Sequence, residues 1–341
     1  MVISSNVFLK RLSVHKLTDS ELIVSSDSIS IQDSFLREVL VKYFFHSFKD
    51  DERFCFGDEN SLEQNRAFNS INSIFENPES LHEKSVDLAH NLFDASQNAN
   101  IKTGDFFTVY FEDCVLDDEI VEVVGLFKAE KKDTFLKVST QDNVFGVNSD
   151  EGININKLDK GTLIFNTEKE NGYVVVTIDN TNKTNSAQYW RDDFLKLKPL
   201  KNEYYQTKQL VHLCQDFIGE AVSDEDKTGK IALFNSSMDY LKSNETFSHE
   251  QYKEQVLQAP ELIASYEVFR EEQSETNEIL EKEEFEISKP ALKQSKKFIR
   301  SVIKLDKNFH VYVHGNRENI QKGFDDSRQK NYYKLYFEEE A

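Results

Sequence analysis

The stretch that most restricts the fold begins at Gly104, where apolar residues start to recur with a period of two. Phe107, Val109 and Phe111 point one way, and Phe106, Thr108 and Tyr110 point the other. A strand that keeps large apolar side chains on both faces cannot have one face in water, so it is read as a central strand of its sheet. Asp117-Asp118 makes a turn into a second strand, Ile120–Lys128, and Lys131 to Asp133 a turn into Thr134–Val138. A further hairpin runs from Thr162 to Asp179, with Glu170-Asn171-Gly172 supplying a turn that tolerates positive φ. The middle of the chain is thus predicted to be an antiparallel sheet.

Helical spacing surrounds it. Val7 to Val24 reads as two short strands about Thr18-Asp19-Ser20. Phe35, Val39, Tyr43 and Phe44 then repeat at intervals of three and four, with Leu36 and Leu40 widening the stripe. Residues 49–60 are polar and read as a loop. Asn77-Pro78 is a helix start, and Leu81, Ser85, Leu88, Leu92 and Ala95 lie along one face of the helix it opens. Trp190 to Leu197 reads as a return to helix that Pro199 breaks. Beyond it Leu210, Leu213, Phe217 and Ala221 define one helix, and Ile231, Phe234, Met238 and Leu241 another. Ser248-His249-Glu250-Gln251 is a capping-box pattern opening a third, and Leu262, Tyr266 and Phe269 mark a fourth after Pro260. The end returns to strands at Ser301–Leu305, Phe309–His314 and Tyr332–Phe337.

With 341 residues, 27 Phe and 13 Tyr, the chain has the apolar surface for two cores. The expected class is α+β. Residues 1–200 form a mixed domain with helices packed on a central antiparallel sheet, and residues 201–341 a helical domain with a small terminal sheet. The opening MVISSNVFLKRLSVHKL lacks the pattern of a secretory signal, and no apolar run reaches membrane-spanning length, so a soluble cytoplasmic protein is expected. Cys55, Cys114 and Cys214 are odd in number and far apart, which argues against a disulfide framework or a zinc site.

Several segments together resemble the bacterial nucleoid-associated protein family, the NdpA and YejK group. They are Leu88-Ala89-His90-Asn91-Leu92-Phe93 with Ser96, Asn100-Ile101-Lys102, Gly104-Asp105, Gly125-Leu126-Phe127-Lys128, Asn156-Lys157-Leu158-Asp159-Lys160-Gly161, Ile178-Asp179-Asn180 and Tyr189-Trp190-Asp193-Phe194-Leu195. They fall within roughly residues 85–220; the first eighty and last hundred residues are similar only in length and layout. The resemblance implies nucleoid association. It brings no catalytic residues and does not say how DNA is held.

Charge pulls against direct DNA binding. The formal charge is −20, and residues 1–99, 100–200 and 201–341 carry nets of −7, −6 and −7. Phosphate binding needs Lys and Arg to replace condensed counterions, so any DNA contact has to be local. Two places qualify. Lys128, Lys131, Lys132, Lys157 and Lys160 fall at strand ends and turns of the middle sheet, where they could follow a phosphate backbone without reading sequence; alternatively they are ordinary solvated charges, Lys128 with Glu130 and Lys157 with Asp159. The second is a basic stripe, Lys289, Lys293, Lys296, Lys297 and Arg300, spaced along a helix that Pro290 would open. It directly follows residues 271–286, which net −7 and could neutralise or mask it.

An enzyme is disfavoured. Asp113 or Asp117 with Glu130-Lys131-Lys132 imitates the two carboxylates and lysine of a Mg²⁺-dependent nuclease, but weakly in a chain so rich in these residues. His82 and His90 are eight apart, and no Gly-rich phosphate loop or nucleophile elbow can be read. The Phe and Tyr of the central strand read as core rather than as a base-stacking platform. The expected function is a non-enzymatic, nucleoid-associated protein, without cofactor or metal, that docks on duplex DNA with low specificity. The rival is a protein-interaction module brought to the nucleoid by DNA-handling proteins. Self-association is left open.

Overall fold

A computed structural model describes the chain apart from residues 1, 4–6, 49–51, 58–60, 97–102, 118, 142–143, 182–188, 224–225, 275–281, 296–301, 306–308, 313–319, 338 and 340–341. The chain divides into two units, Met1–Leu200 and Lys201–Ala341. The class is α+β.

The first unit is built on one antiparallel sheet. Its strands are β1 (Val2–Ile3), β2 (Phe8–Leu17), β3 (Leu22–Ile23), β4 (Phe54–Phe56), β5 (Gly104–Leu116), β6 (Glu119–Ala129), β9 (Lys160–Phe165), β10 (Val174–Asp179) and β11 (Leu197–Pro199), with β7 (Asp133–Gln141) and β8 (Val144–Gly152) forming a separate ribbon. The spatial order is β11-β4-β10-β9-β6-β5-β2-β3, and β1 also pairs with β5. β5 is interior, as its two-sided apolar pattern requires. Phe107, Val109 and Phe111 pack with Tyr43, Phe44 and Phe45 of α1 (Ser34–Phe45), where Phe44 stacks on Phe127 with centroids 4.2 Å apart. Phe106 and Tyr110, on the opposite face, join α2 (Arg66–Glu76), α3 (Leu81–Ala95) and the Tyr189-Trp190-Phe194 turn. Each of these fully buried aromatics contributes on the order of 2–3 kcal/mol, so the layers on both sides hold the sheet.

Local chemistry sets the element ends. Asn65 caps α2 by accepting from the Phe68 N–H at 3.1 Å, while its Nδ2 donates to the carbonyls of Gly57 and Leu195, both at 2.9 Å. Asn77 caps the turn Pro78–Ser80 that leads into α3. Gly172 adopts φ +91°, and a Cβ there would run into the Phe56 carbonyl, so the β9–β10 turn requires glycine.

Four expectations need correcting. Residues 49–60 are not all loop, because Phe54 and Phe56 are pulled into the sheet as β4 between β10 and β11. Trp190 to Leu197 is not a helix: a tight turn returns Leu197–Pro199 as an edge strand, where proline's missing N–H costs nothing. Phe35 and Leu36 do not bury with the rest of their stripe, remaining 72% and 46% exposed. The strand beginning at Thr134 does not end at Val138 but runs to Gln141 and pairs with β8, which alternation did not reveal.

The second unit packs α4 (Glu203–Ala221), α5 (Lys227–Ser243), α6 (His249–Tyr252), a wider turn at Lys253–Leu257, and α7 (Pro260–Ser274) around Phe217, Leu241, Phe247, Tyr252, Tyr266 and Phe269. Ser248 precedes α6 without a side-chain cap bond; it lies instead in β12 (Thr246–Ser248), paired with β13 (Glu284–Glu286). α8 (Lys289–Ser295) and two hairpins, β14 (Val302–Leu305) with β15 (Phe309–Tyr312) and β16 (Ile320–Asp325) with β17 (Lys330–Leu335), complete it. No helix of the described residues is long and apolar enough to cross a membrane.

Candidate functional site

Strand register assembles the site. Phe106 faces Lys128 across β5–β6, Lys128 faces Lys160 across β6–β9, and Lys160 faces Asp179 across β9–β10. Residues paired this way share a face, and this one is covered by the helices and by Tyr189 and Trp190. Lys128 and Lys160 are accordingly 0% exposed. A buried ammonium is tolerated only with partners. Lys128 Nζ lies 3.2 Å from Glu130 Oε1 and donates to the Tyr189 hydroxyl at 3.1 Å. Lys160 Nζ donates to Asp179 Oδ2 at 2.6 Å and to Thr181 Oγ1 at 2.7 Å, with Glu130 Oε1 at 3.8 Å. Both ammonium groups also stand over the Tyr189 ring, 5.6 and 5.4 Å from its centroid. Beside them Trp190 Nε1 donates to Thr162 Oγ1 at 2.9 Å, and Thr162 bonds Thr177 at 2.8 Å.

The electrostatics follow from burial. Desolvation pushes the Lys128 ammonium below its ordinary value, and the Glu130 carboxylate beside it acts in the opposite sense. Burial, then the Glu130 and Asp179 charges, hold the Tyr189 phenol well above its usual range, so it stays neutral and donates. Two cations and two carboxylates balance within the cluster, which leaves no surplus charge to attract a polyanion.

The other middle-sheet lysines lie at the base of the β7–β8 ribbon. Asp159 does not pair with Lys157; its Oδ2 accepts the N–H groups of Glu130 at 2.7 Å and Lys131 at 3.0 Å and so fixes the turn that aims Glu130 inward. Lys157 instead pairs with Asp133 at 3.0 Å, and hydrogen bonds from Asn154 and then Lys157 hold that carboxyl below its ordinary value. Lys132 pairs with Asp105 at 3.2 Å, and Lys131 is exposed. The expected solvent-facing cluster of five is therefore corrected. Lys128 and Lys160 are interior, and of the exposed three, Lys132 and Lys157 sit against carboxylates.

The basic stripe divides similarly. Lys289 Nζ donates to the carbonyls of Leu241, Lys242 and Asn244, capping the C-terminal end of α5. Lys293 is exposed, whereas Lys296, Lys297 and Arg300 lie outside the described residues, as do residues 275–281 of the acidic stretch. Glu283 of that stretch pairs with Arg270 at 2.7 Å.

The nuclease arrangement does not assemble. Asp113, at a bulge with φ 58°, and Asp117 sit at one end of the β5–β6 hairpin, and Glu130 follows its other end, about 30 Å away at ~3.3 Å per residue. Asp117 pairs with Arg53 at 2.5 Å, and chiefly the Arg53 hydrogen bond lowers its carboxyl to about 2. Among the described residues no group of three or more His, Cys, Asp or Glu side chains is placed to hold a metal ion.

Four of the sequence segments that carry the family resemblance each place one residue in the buried cluster: Lys128, Lys160, Asp179 and Tyr189. The family model of the nucleoid-associated protein YejK matches residues 14–331. The chain belongs to this family. The match reaches well beyond residues 85–220, taking in residues 14–84 and the second unit as far as residue 331. No curated protein matches the chain. Sequence reasoning missed Glu130 as the shared partner of two lysines; the signal available to it was the inward position of Lys128 and Lys160 on strands whose neighbours are apolar.

Proposed function

We infer that this nucleoid-associated chain is non-enzymatic and reaches DNA through basic, DNA-handling protein partners rather than by gripping phosphates itself. The observation that carries this reading is the inward, charge-balanced position of Lys128 and Lys160, in a chain whose net charge is −20. An acidic surface complements proteins that are themselves built to bind DNA, and it steers them by long-range attraction. The test is a pull-down of the tagged chain from a nuclease-treated bacterial lysate, beside a mobility-shift titration on plain duplex. Recovery of basic DNA-handling proteins without a shift supports the reading. A shift by the purified chain at low salt contradicts it.

A second reading has one observation in its favour. Lys131, Lys132 and Lys157 are exposed at the base of the β7–β8 ribbon and could by themselves give weak, sequence-independent duplex docking. Changing Lys131, Lys132 and Lys157 to Ala would then abolish the shift.

A further inference from the structure

The β7–β8 ribbon leaves the main sheet as a hairpin with register Phe135↔Asp150 through Gln141↔Val144. One of its faces carries Leu136, Val138, Phe145 and Val147, which are 77, 65, 74 and 66% exposed. The opposite face is mixed: Lys137, Ser139, Asn148 and Asp150 occupy its middle, with Phe135 and Val144 towards its two ends. A two-stranded ribbon is marginal in water unless its apolar face is covered. We propose that this face is an interface through which two copies of the chain pair, ribbon stacked on ribbon about a two-fold axis.

Three observations point to a second copy as the occupant. The first is area. At roughly 100–150 Å² each, the four side chains present about 500 Å² of apolar surface, and the remainder of the ribbon face brings this toward the ~800 Å² per partner of a standard interface. The second is charge. Copies of a −20 chain repel over most of their surface, but among the described residues on this face of the ribbon Glu151, opposite Thr134 at its base, is the one charged side chain, so two copies meet over its middle and tip with little of that cost. The third is shape. Val138 and Val147 are directly opposed at the middle of the ribbon, while Phe145 is opposed by Thr140 and Leu136 by Ser149. Stacking the face on itself about either in-plane two-fold brings valines together at the centre and sets Phe145 over a small hydroxyl residue, Thr140 or Ser149. Large therefore meets small, and the patch is self-complementary as an isologous interface requires. The inference is independent of how the chain reaches the nucleoid.

The experiment is sedimentation equilibrium on the full chain at micromolar concentration, with three proteins. The unaltered chain is expected at twice 39.7 kDa. The variant combining Val138→Asp and Val147→Asp is expected at the single-copy mass, and Ser139→Asp, on the opposite face of the same strand, at the double mass. Unchanged far-UV circular dichroism and melting temperature show that each variant is folded; no described residue of the ribbon belongs to the buried clusters of its unit, so this is the expected result. The proposal is overturned if the unaltered chain sediments as one copy, if the double variant remains paired, or if Ser139→Asp dissociates it equally.

Discussion

Lys128 and Lys160 stand directly opposite one another on neighbouring strands, and Glu130 Oε1 lies 3.2 Å from the first ammonium and 3.8 Å from the second. Two like charges facing each other in a core would be costly in isolation. A shared carboxylate, with Asp179 and the Tyr189 hydroxyl, makes the pairing tolerable, and the same arrangement removes both lysines from any contact with DNA.

Glu130→Gln takes away the carboxylate that both buried ammonium groups share. Removing one partner of a buried pair typically costs about 3–5 kcal/mol. Urea unfolding of the first unit should lose about 3 kcal/mol, whereas Lys128→Met should cost less, because Glu130 keeps Lys160 and Tyr189. Equal, small losses for both would show that the cluster contributes little.

How much of this was legible in the sequence depends on whether the relevant signal was local. The two-sided pattern of Phe106 to Phe111 located the central strand, and Asn77-Pro78 located the start of α3, because each rests on periodicity or capping within a few residues. β4 and β11 were missed because Phe54–Phe56 and Leu197–Pro199 are three-residue strands made by long-range pairing, with too few residues for a period. The lysines were recognised as a group but placed on the surface. Only register shows that Lys128 and Lys160 fall on the covered face, and register is set by pairings far apart in sequence.

Acid should destabilise both units. Burial first, then the His82 and His90 charges, hold His15 down to about 4; burial, then the Arg270 charge, holds His249 to about 4. The Ser25 N–H donates to His15 Nδ1 at 3.2 Å, so the neutral ring carries its proton on Nε2 and donates to Ser85 Oγ at 2.8 Å. Each imidazole is neutral when folded and near 6.5 when unfolded, so the unfolded chain binds more protons between these values. Stability is complete above about 6.5 and falls as pH drops toward about 4, by on the order of 3 kcal/mol per histidine. Melting temperatures at pH 7.5 and pH 5 should differ by several degrees; coincident melts would contradict the assignment.

Lys289→Ala should weaken the second unit through lost capping. Its ammonium holds three carbonyls at the end of α5, and such a cap is worth about 1–2 kcal/mol. The denaturant midpoint of that unit should fall, with no change in the first unit's transition. An unchanged midpoint would return Lys289 to the pool of available surface cations.

Gly172→Ala tests the β9–β10 turn. With φ +91° and the Phe56 carbonyl against the new Cβ, the substitution should cost about 1–3 kcal/mol in the first unit. A neutral effect would mean that the turn can rearrange without disturbing β4.

The central claim is that Lys128 and Lys160 are committed inside the fold and that the acidic chain does not grip phosphate itself, and fluorescence anisotropy of a labelled, plain DNA duplex tests it most directly. With purified chain at low salt, about 50 mM, anisotropy should stay flat into the tens of micromolar. Saturable binding that weakens steeply as salt rises, and that disappears when Lys131, Lys132 and Lys157 are changed to Ala, would contradict the account.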